Sequence, residues 1–146
     1  MKHNSSRIMM FFLVGILFLS VSSVYAETAE EYFNRGLFYA GKGNYSQAIS
    51  DYTKAIKIDP NYAMAYDLRG SAYVQQGNFT QAISDYTKAI EINPNDGGAY
   101  RGRGRAYYKT KEYDKAWADV NKAEELGLTI EPEFLKLLKG DSGRDK

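Results

Sequence analysis

The fold class the sequence predicts is all-α: a solenoid of three stacked helix-turn-helix units closed by a short C-terminal capping helix. Three observations predict it. The ten residues from Gln47 to Ile56, QAISDYTKAI, return unchanged from Gln81 to Ile90, an offset of 34. Gly36, Gly70 and Gly104 keep that offset, as do Tyr39, Tyr73 and Tyr107, and Ala48, Ala82 and Ala116. Within each copy, apolar and small residues recur at three- and four-residue spacing, the period of a helix. Self-similarity at a fixed period of this length marks one supersecondary unit stacked on itself.

The first 26 residues stand apart from the array. Lys2, His3 and Arg7 precede an apolar run from Ile8 to Leu19, broken only by Gly15; Ser20, Ser22 and Ser23 follow, then Val24-Tyr25-Ala26. A basic start, a short greasy stretch and compact residues before a break are the pattern of a secretory signal peptide. The run is short of the roughly 20 residues a membrane span needs. Residues 1–26 are expected to be cleaved after Ala26, leaving an exported chain, periplasmic or secreted. An uncleaved signal anchor that tethers the chain to a membrane is the alternative. No cysteine follows the apolar run to accept a lipid.

The copies then follow in order, at 29–62, 63–96 and 97–128. In the first, Thr28 and Glu31 form a capping box ahead of Tyr32, Gly36, Tyr39 and Ala40. Gly41 to Asn44 breaks this helix, since glycines so close together favour a turn. Tyr45 to Ile58 forms the second helix, and Asp59-Pro60-Asn61 stops it because a residue before proline is pushed out of helical geometry. The second copy repeats the scheme from Ala63 to Gln76 and Phe79 to Ile92, with Asn93-Pro94-Asn95 as the stop. The third, from Gly97 to Thr110 and Tyr113 to Leu126, decays at its end. Val120 replaces the tyrosine, and Leu128 stands where proline would be. Residues 129–139 hold a capping helix that begins at Pro132, and Phe134, Leu135 and Leu138 are its candidate covering residues. Residues 140–146 are polar and terminal, and a disordered tail is expected there.

Composition excludes much chemistry. The chain has 146 residues, no cysteine and one histidine, His3, which lies inside the predicted signal. Thiolate nucleophiles, disulfides and zinc sites with nitrogen or sulfur ligands are therefore not expected. General acid–base work would rest on carboxylates, lysines and tyrosines alone. No catalytic residue, cofactor or metal site is assigned. The net charge of +1 gives no global field to recruit nucleic acid, although Arg101-Gly-Arg-Gly-Arg105 superficially looks like an RNA-binding tract. That run lies inside a periodic helix, so neither nucleic acid nor a small-molecule substrate is an expected partner. Asn44-Tyr-Ser and Asn78-Phe-Thr match glycosylation acceptors but also suit the turns they occupy.

Tyr32, Gly36, Tyr39, Ala48, Tyr52, Ala55 and Pro60 resemble the signature of the tetratricopeptide repeat family, with tyrosine in place of the usual tryptophan. Tyr66, Gly70, Tyr73, Ala82, Tyr86, Ala89 and Pro94 repeat it, and Tyr100, Gly104, Tyr107, Ala116 and Ala123 carry it into the third copy. The resemblance implies stacked helical hairpins and a non-enzymatic protein-binding role, but no particular partner. Relatives that clamp the C-terminal carboxylate of heat-shock chaperones use lysines, asparagines and an arginine at five groove places. Here those places hold Phe33, Leu37, Leu68, Gly98 and Gly102, so the resemblance implies no such ligand.

The small signature residues are expected where helices cross closely, with Ala48, Ala82 and Ala116 facing Gly36, Gly70 and Gly104. Larger side chains there would cost about 1–3 kcal/mol in overpacking. Arg35, Arg69 and Arg103 and Asp51, Asp85 and Asp119 also keep the period, which predicts a structural ladder of ion pairs. The concave side should be lined mainly by the first helix of each copy. Its candidate residues are Phe33, Leu37 and Ala40, then Met64, Asp67, Leu68 and Ser71, then Gly98, Arg101, Gly102, Arg105 and Lys109. The last five fall within an arc of about 100° on their helix. Such a groove is apolar at one end and cationic at the other, with Gly98 and Gly102 leaving its floor open and off the packing face. It would hold a protein or peptide segment with apolar anchors and an acidic end, bound by Arg101 and Arg105. The expected affinity is nearer micromolar than nanomolar, about −8 kcal/mol. Self-association or tethering through the N-terminal segment is the competing reading.

Overall fold

A computed structural model describes residues 27–143. The signal-peptide reading of residues 1–26, and residues 144–146, lie outside the described residues. Seven helices and no strand occur among those described: α1 (Ala29–Gly41), α2 (Tyr45–Ile58), α3 (Ala63–Gln75), α4 (Phe79–Ile92), α5 (Gly97–Lys109), α6 (Tyr113–Glu125) and α7 (Pro132–Ser142). Helix α1 packs on α2, α3 on α4 and α5 on α6; α2 then leads into α3, α4 into α5, and α3 touches α5. None of these helices is long and apolar enough to cross a membrane.

Local chemistry sets the helix limits. Thr28 Oγ1 accepts from the Glu31 N–H at 3.1 Å while Glu31 Oε2 accepts from the Thr28 N–H at 2.7 Å, closing the capping box. The first helix of each copy ends at a left-handed residue: Gly43, Gly77 and, in the third copy, Lys111 with φ 63°. The next N–H then reaches back five residues, from Asn44 to Tyr39, Asn78 to Tyr73 and Glu112 to Tyr107, each at 2.9 Å. The Asn44 side chain caps α2 by accepting from the Gln47 N–H, which gives it a role in the turn itself. Helices α2 and α4 stop at Asp59 and Asn93, whose side chains accept from the N–H groups of Asn61 and Asn95.

The core falls into three clusters, each built on the second helix of a copy and joined by residues of the element that follows. Ala48, Tyr52 and Ala55 pack with Ala65, Ala82, Tyr86 and Ala89 with Ala99 and Ala106, and Ala116, Trp117, Val120 and Ala123 with α7. The signature glycines work differently from the alanine-to-glycine contact expected of them. A Cβ on Gly36 would sit 2.5 Å from the Tyr52 ring, and one on Gly70 would sit 3.2 Å from the Tyr86 ring and 3.3 Å from the Ala82 carbonyl oxygen. The glycine therefore makes room mainly for a buried tyrosine. In the third copy Val120 is too short to fill that space, and Gly104 meets the Ala116 carbonyl and Asp119 instead.

The ion-pair ladder runs within each copy. Arg35 holds Asp51 through Nε and Nη2, and Arg69 holds Asp85 and Arg103 holds Asp119 in the same two-pronged way, at 2.7–3.1 Å. All three aspartates are buried. A tyrosine roofs each guanidinium: Tyr32 at 4.8 Å, and Tyr66 and Tyr100 at 5.6 Å. These tyrosines are half-buried and shield a charge pair, which is a second use for aromatic residues at signature places. At Asp51 the Arg35 hydrogen bonds hold the carboxyl below the usual carboxylate range.

At the C-terminal end, Ile130, Phe134 and Leu138 are buried against α6, and Leu135 packs beside them. The chain stays helical to Ser142, past residue 140 where the sequence suggests a disordered tail. The Trp117 Nε1–H donates to Ser142 Oγ at 3.0 Å and the Tyr108 hydroxyl donates to Asp141, so tertiary contacts hold the last turn. Gly143 ends it with a left-handed backbone.

Candidate functional site

Helix periodicity gathers a recess across the first helices of copies two and three. On α3, Asp67, Leu68, Ser71, Val74 and Gln75 share one face; on α5, Gly98, Arg101, Gly102 and Arg105 share another. With Tyr86 from α4 they enclose about 310 Å³. A neighbouring recess of about 370 Å³ is lined by Val74, Arg105, Tyr108, Lys109, Glu131, Glu133, Phe134 and Leu137. Both recesses share Val74 and Arg105, so they form one groove from α3 across α5 to α7.

Seven of the residues singled out from the sequence, Asp67, Leu68, Ser71, Gly98, Arg101, Gly102 and Arg105, line the first recess, and Lys109 lines the second. Leu37 and Met64 line neither, though both are exposed, at 42% and 58%. Phe33 does not belong to the surface. It is 6% exposed, stacks on Tyr62 at 4.8 Å and leans on Tyr52 at 5.9 Å. Phe33 lies on the outward arc of its helix, but the Tyr62 ring, arriving from the turn before α3, covers it.

Gly102 also departs from expectation. A Cβ there would lie 2.6 Å from Tyr86 Cζ and 2.9 Å from its hydroxyl oxygen, so the residue lies on a packing contact while lining the recess. It lets the tyrosine reach from α4 to the groove floor, where it lines the recess together with Ser71. A Cβ on Gly98 would meet only the Asp96 carboxylate, at 3.1 Å.

The arginines are not free. Glu131, at the N-terminus of α7, takes Arg105 at 2.8 Å and Arg101 at 3.6 Å. Its own backbone N–H and then the charges of Arg105 and Arg101 hold the Glu131 carboxyl below its usual range. Arg101 and Arg105, expected from the sequence as donors to a ligand carboxylate, are thus engaged in the free chain by a carboxylate of its own. At the other side of the recess, burial and the nearby Asp96 charge push Asp67 up to about 6, with Arg101 pulling the other way.

Periodicity would have added Val74 and Gln75, three and four residues beyond Ser71 on the same helical face. Tyr86 was legible only as core. Glu131, Glu133 and Leu137 reach the groove through the docking of α7, a long-range packing result with no local signal. Among the described residues no cluster of three or more histidine, cysteine or acidic side chains could hold a metal ion. What the groove presents is an apolar wall, two engaged guanidiniums and a titratable carboxyl, a set suited to recognition.

Comparison with known proteins agrees with this architecture. Sequence models described as tetratricopeptide or TPR repeats match residues 29–62, 51–84 and 70–111, which together run from the first copy through the first helix of the third. The chain is similar in structure to the first TPR of Spaghetti (RPAP3) bound to an HSP90 peptide, at 29% identity over 80% of this chain and 91% of that one, with a TM-score of 0.73. It is similar to the Arabidopsis OM64 TPR domain at 29% identity over 77% of this chain and 94% of that one, TM-score 0.73. MamA matches at 32% identity and TM-score 0.67 over 68% of this chain, which spans 58% of that protein. No curated protein matches. With the periodic signature, the seven-helix stack and these matches in agreement, the chain belongs to the tetratricopeptide repeat family.

Proposed function

We propose that this chain is a non-enzymatic interaction scaffold whose groove holds a peptide or protein segment. The observation that carries the reading is the pair of joined recesses along α3, α5 and α7, with an apolar wall of Leu68, Val74, Phe134 and Leu137 beside charged groups. Structural relatives support it: the Spaghetti domain is bound to an HSP90 peptide, and the TPR2B domain of yeast Sti1, at a TM-score of 0.70, is in a pHsp70 complex. The ligand here differs from a chaperone tail, because Leu37, Leu68, Gly98 and Gly102 offer no clamp for a terminal carboxylate and Phe33 is buried. Apolar anchors on the wall supply its affinity. An acidic side chain engages the cationic end in exchange with Glu131.

The reading extends to location: the N-terminal 26 residues direct export, and the scaffold works outside the cytoplasm. Mass measurement of the mature product tests this, with Glu27 as the expected first residue and an intact N-terminus as the contrary result. For the groove, a partner cross-linked from the exported fraction is titrated against Leu68→Glu and against Arg101→Glu with Arg105→Glu. Each is expected to weaken capture about tenfold or more. Undiminished capture by both variants, with helix content preserved, would remove the groove from the account.

A further inference from the structure

The two ends of the solenoid are finished differently. Glu31 and Phe38 of α1 fall at the repeat positions of Ala65 and Ala72 in α3, and of Ala99 and Ala106 in α5. Those four alanines are buried, and Ala65, Ala99 and Ala106 cluster with the second helix of the preceding copy. The arginines report the same boundary. Arg69 Nη1 donates to Thr53 at 2.9 Å and Arg103 Nη1 to Thr87 at 3.1 Å, each reaching back one copy. Arg35 Nη1 turns to Glu27 instead. Helix α1 therefore presents the face that elsewhere receives another copy, and Phe38 on it is 56% exposed. At the opposite end α7 covers the equivalent open face of α6.

We propose that this face of α1, which no other described residue covers, pairs with the same face of a second copy of the chain, giving a closed dimer. Two features select that occupant. Phe38 stands where each inner first helix has an alanine, so a further repeat of this kind could not approach as closely as α2 approaches α3. Head-to-tail stacking is blocked, because α7 already covers the surface that would receive α1. A twofold, face-to-face arrangement remains.

Charge fixes the direction. Glu31 lies on the Phe38 face near the start of α1, and Lys42 lies near that face just past its end, its ammonium 4.5 Å from the Phe38 ring centroid. Antiparallel α1 helices about a twofold place each Glu31 opposite the partner's Lys42. The two Phe38 rings then lie about 4.5 Å apart along the helix axis, within stacking reach. Parallel helices would oppose like charges.

Sedimentation equilibrium of the full chain over a hundredfold concentration range tests the pairing. A monomer–dimer equilibrium is expected, with Phe38→Ala raising the dissociation constant about tenfold or more at unchanged helix content. Lys42→Glu should also weaken it, and Glu31→Lys combined with Lys42→Glu should return it to within about threefold of the parent. A monomer at every concentration overturns the proposal. Association indifferent to Phe38→Ala also overturns it, and assigns the contact to residues 1–26 or another surface.

Discussion

At Lys111 a single residue carries the backbone burden that glycine bears in the other copies. Its φ of 63° is the left-handed conformation of Gly43 and Gly77, at the same position of the repeat. A side chain there costs about 1 kcal/mol, so Lys111→Gly is expected to raise unfolding stability by roughly that amount in urea titration. Gly102 argues in the opposite direction. Alanine would gain about 1 kcal/mol of helix propensity. However, its methyl would strike Tyr86, which is 5% exposed and has little room to yield. We expect Gly102→Ala to be net destabilising by about 1–2 kcal/mol, measured the same way. From sequence, Phe33 was misplaced, and Gly102, rightly set in the groove, was read as off the packing face, for one reason: a helical wheel knows the direction of a side chain but not which distant ring meets it.

Elements were more legible than contacts. The offset of 34 located every hairpin, and the capping box, glycine turns and prolines located the ends in the first two copies, because these signals act within a few residues. The arginine–aspartate ladder was also readable, since both partners keep the period. Helix α7 shows the limit: its start at Pro132 and its apolar residues were evident, but its last turn and the reach of Glu131 to Arg101 and Arg105 depend on where the whole helix docks. The ladder predicts a particular asymmetry. Arg103→Ala leaves Asp119 buried and unpaired, at a cost of about 3 kcal/mol in chemical denaturation. Replacing both, as Arg103→Met with Asp119→Leu, should cost less than the single change, because no bare charge is left inside.

Across the whole molecule, the three copies set apolar, titratable and cationic groups along one groove. Asp67 gives it a pH signature. Its folded pKa of about 6 exceeds that of the unfolded chain, so above pH about 6 the folded state bears the full penalty of a partly desolvated carboxylate. As pH falls from there toward about 4, the folded chain takes up a proton that the unfolded chain does not, and stability rises. Asp67→Asn should therefore be the more stable protein near neutral pH, by about 2 kcal/mol, with the difference vanishing toward pH about 4 in parallel thermal melts. The groove is also where the functional reading can be tested most directly. A photoreactive side chain placed at Ser71, inside the recess, is compared with one at Ser84, exposed on α4. Cross-linking of a partner segment from Ser71 and not from Ser84 is the predicted result; capture from Ser84 with none from Ser71 would contradict the groove as the binding surface.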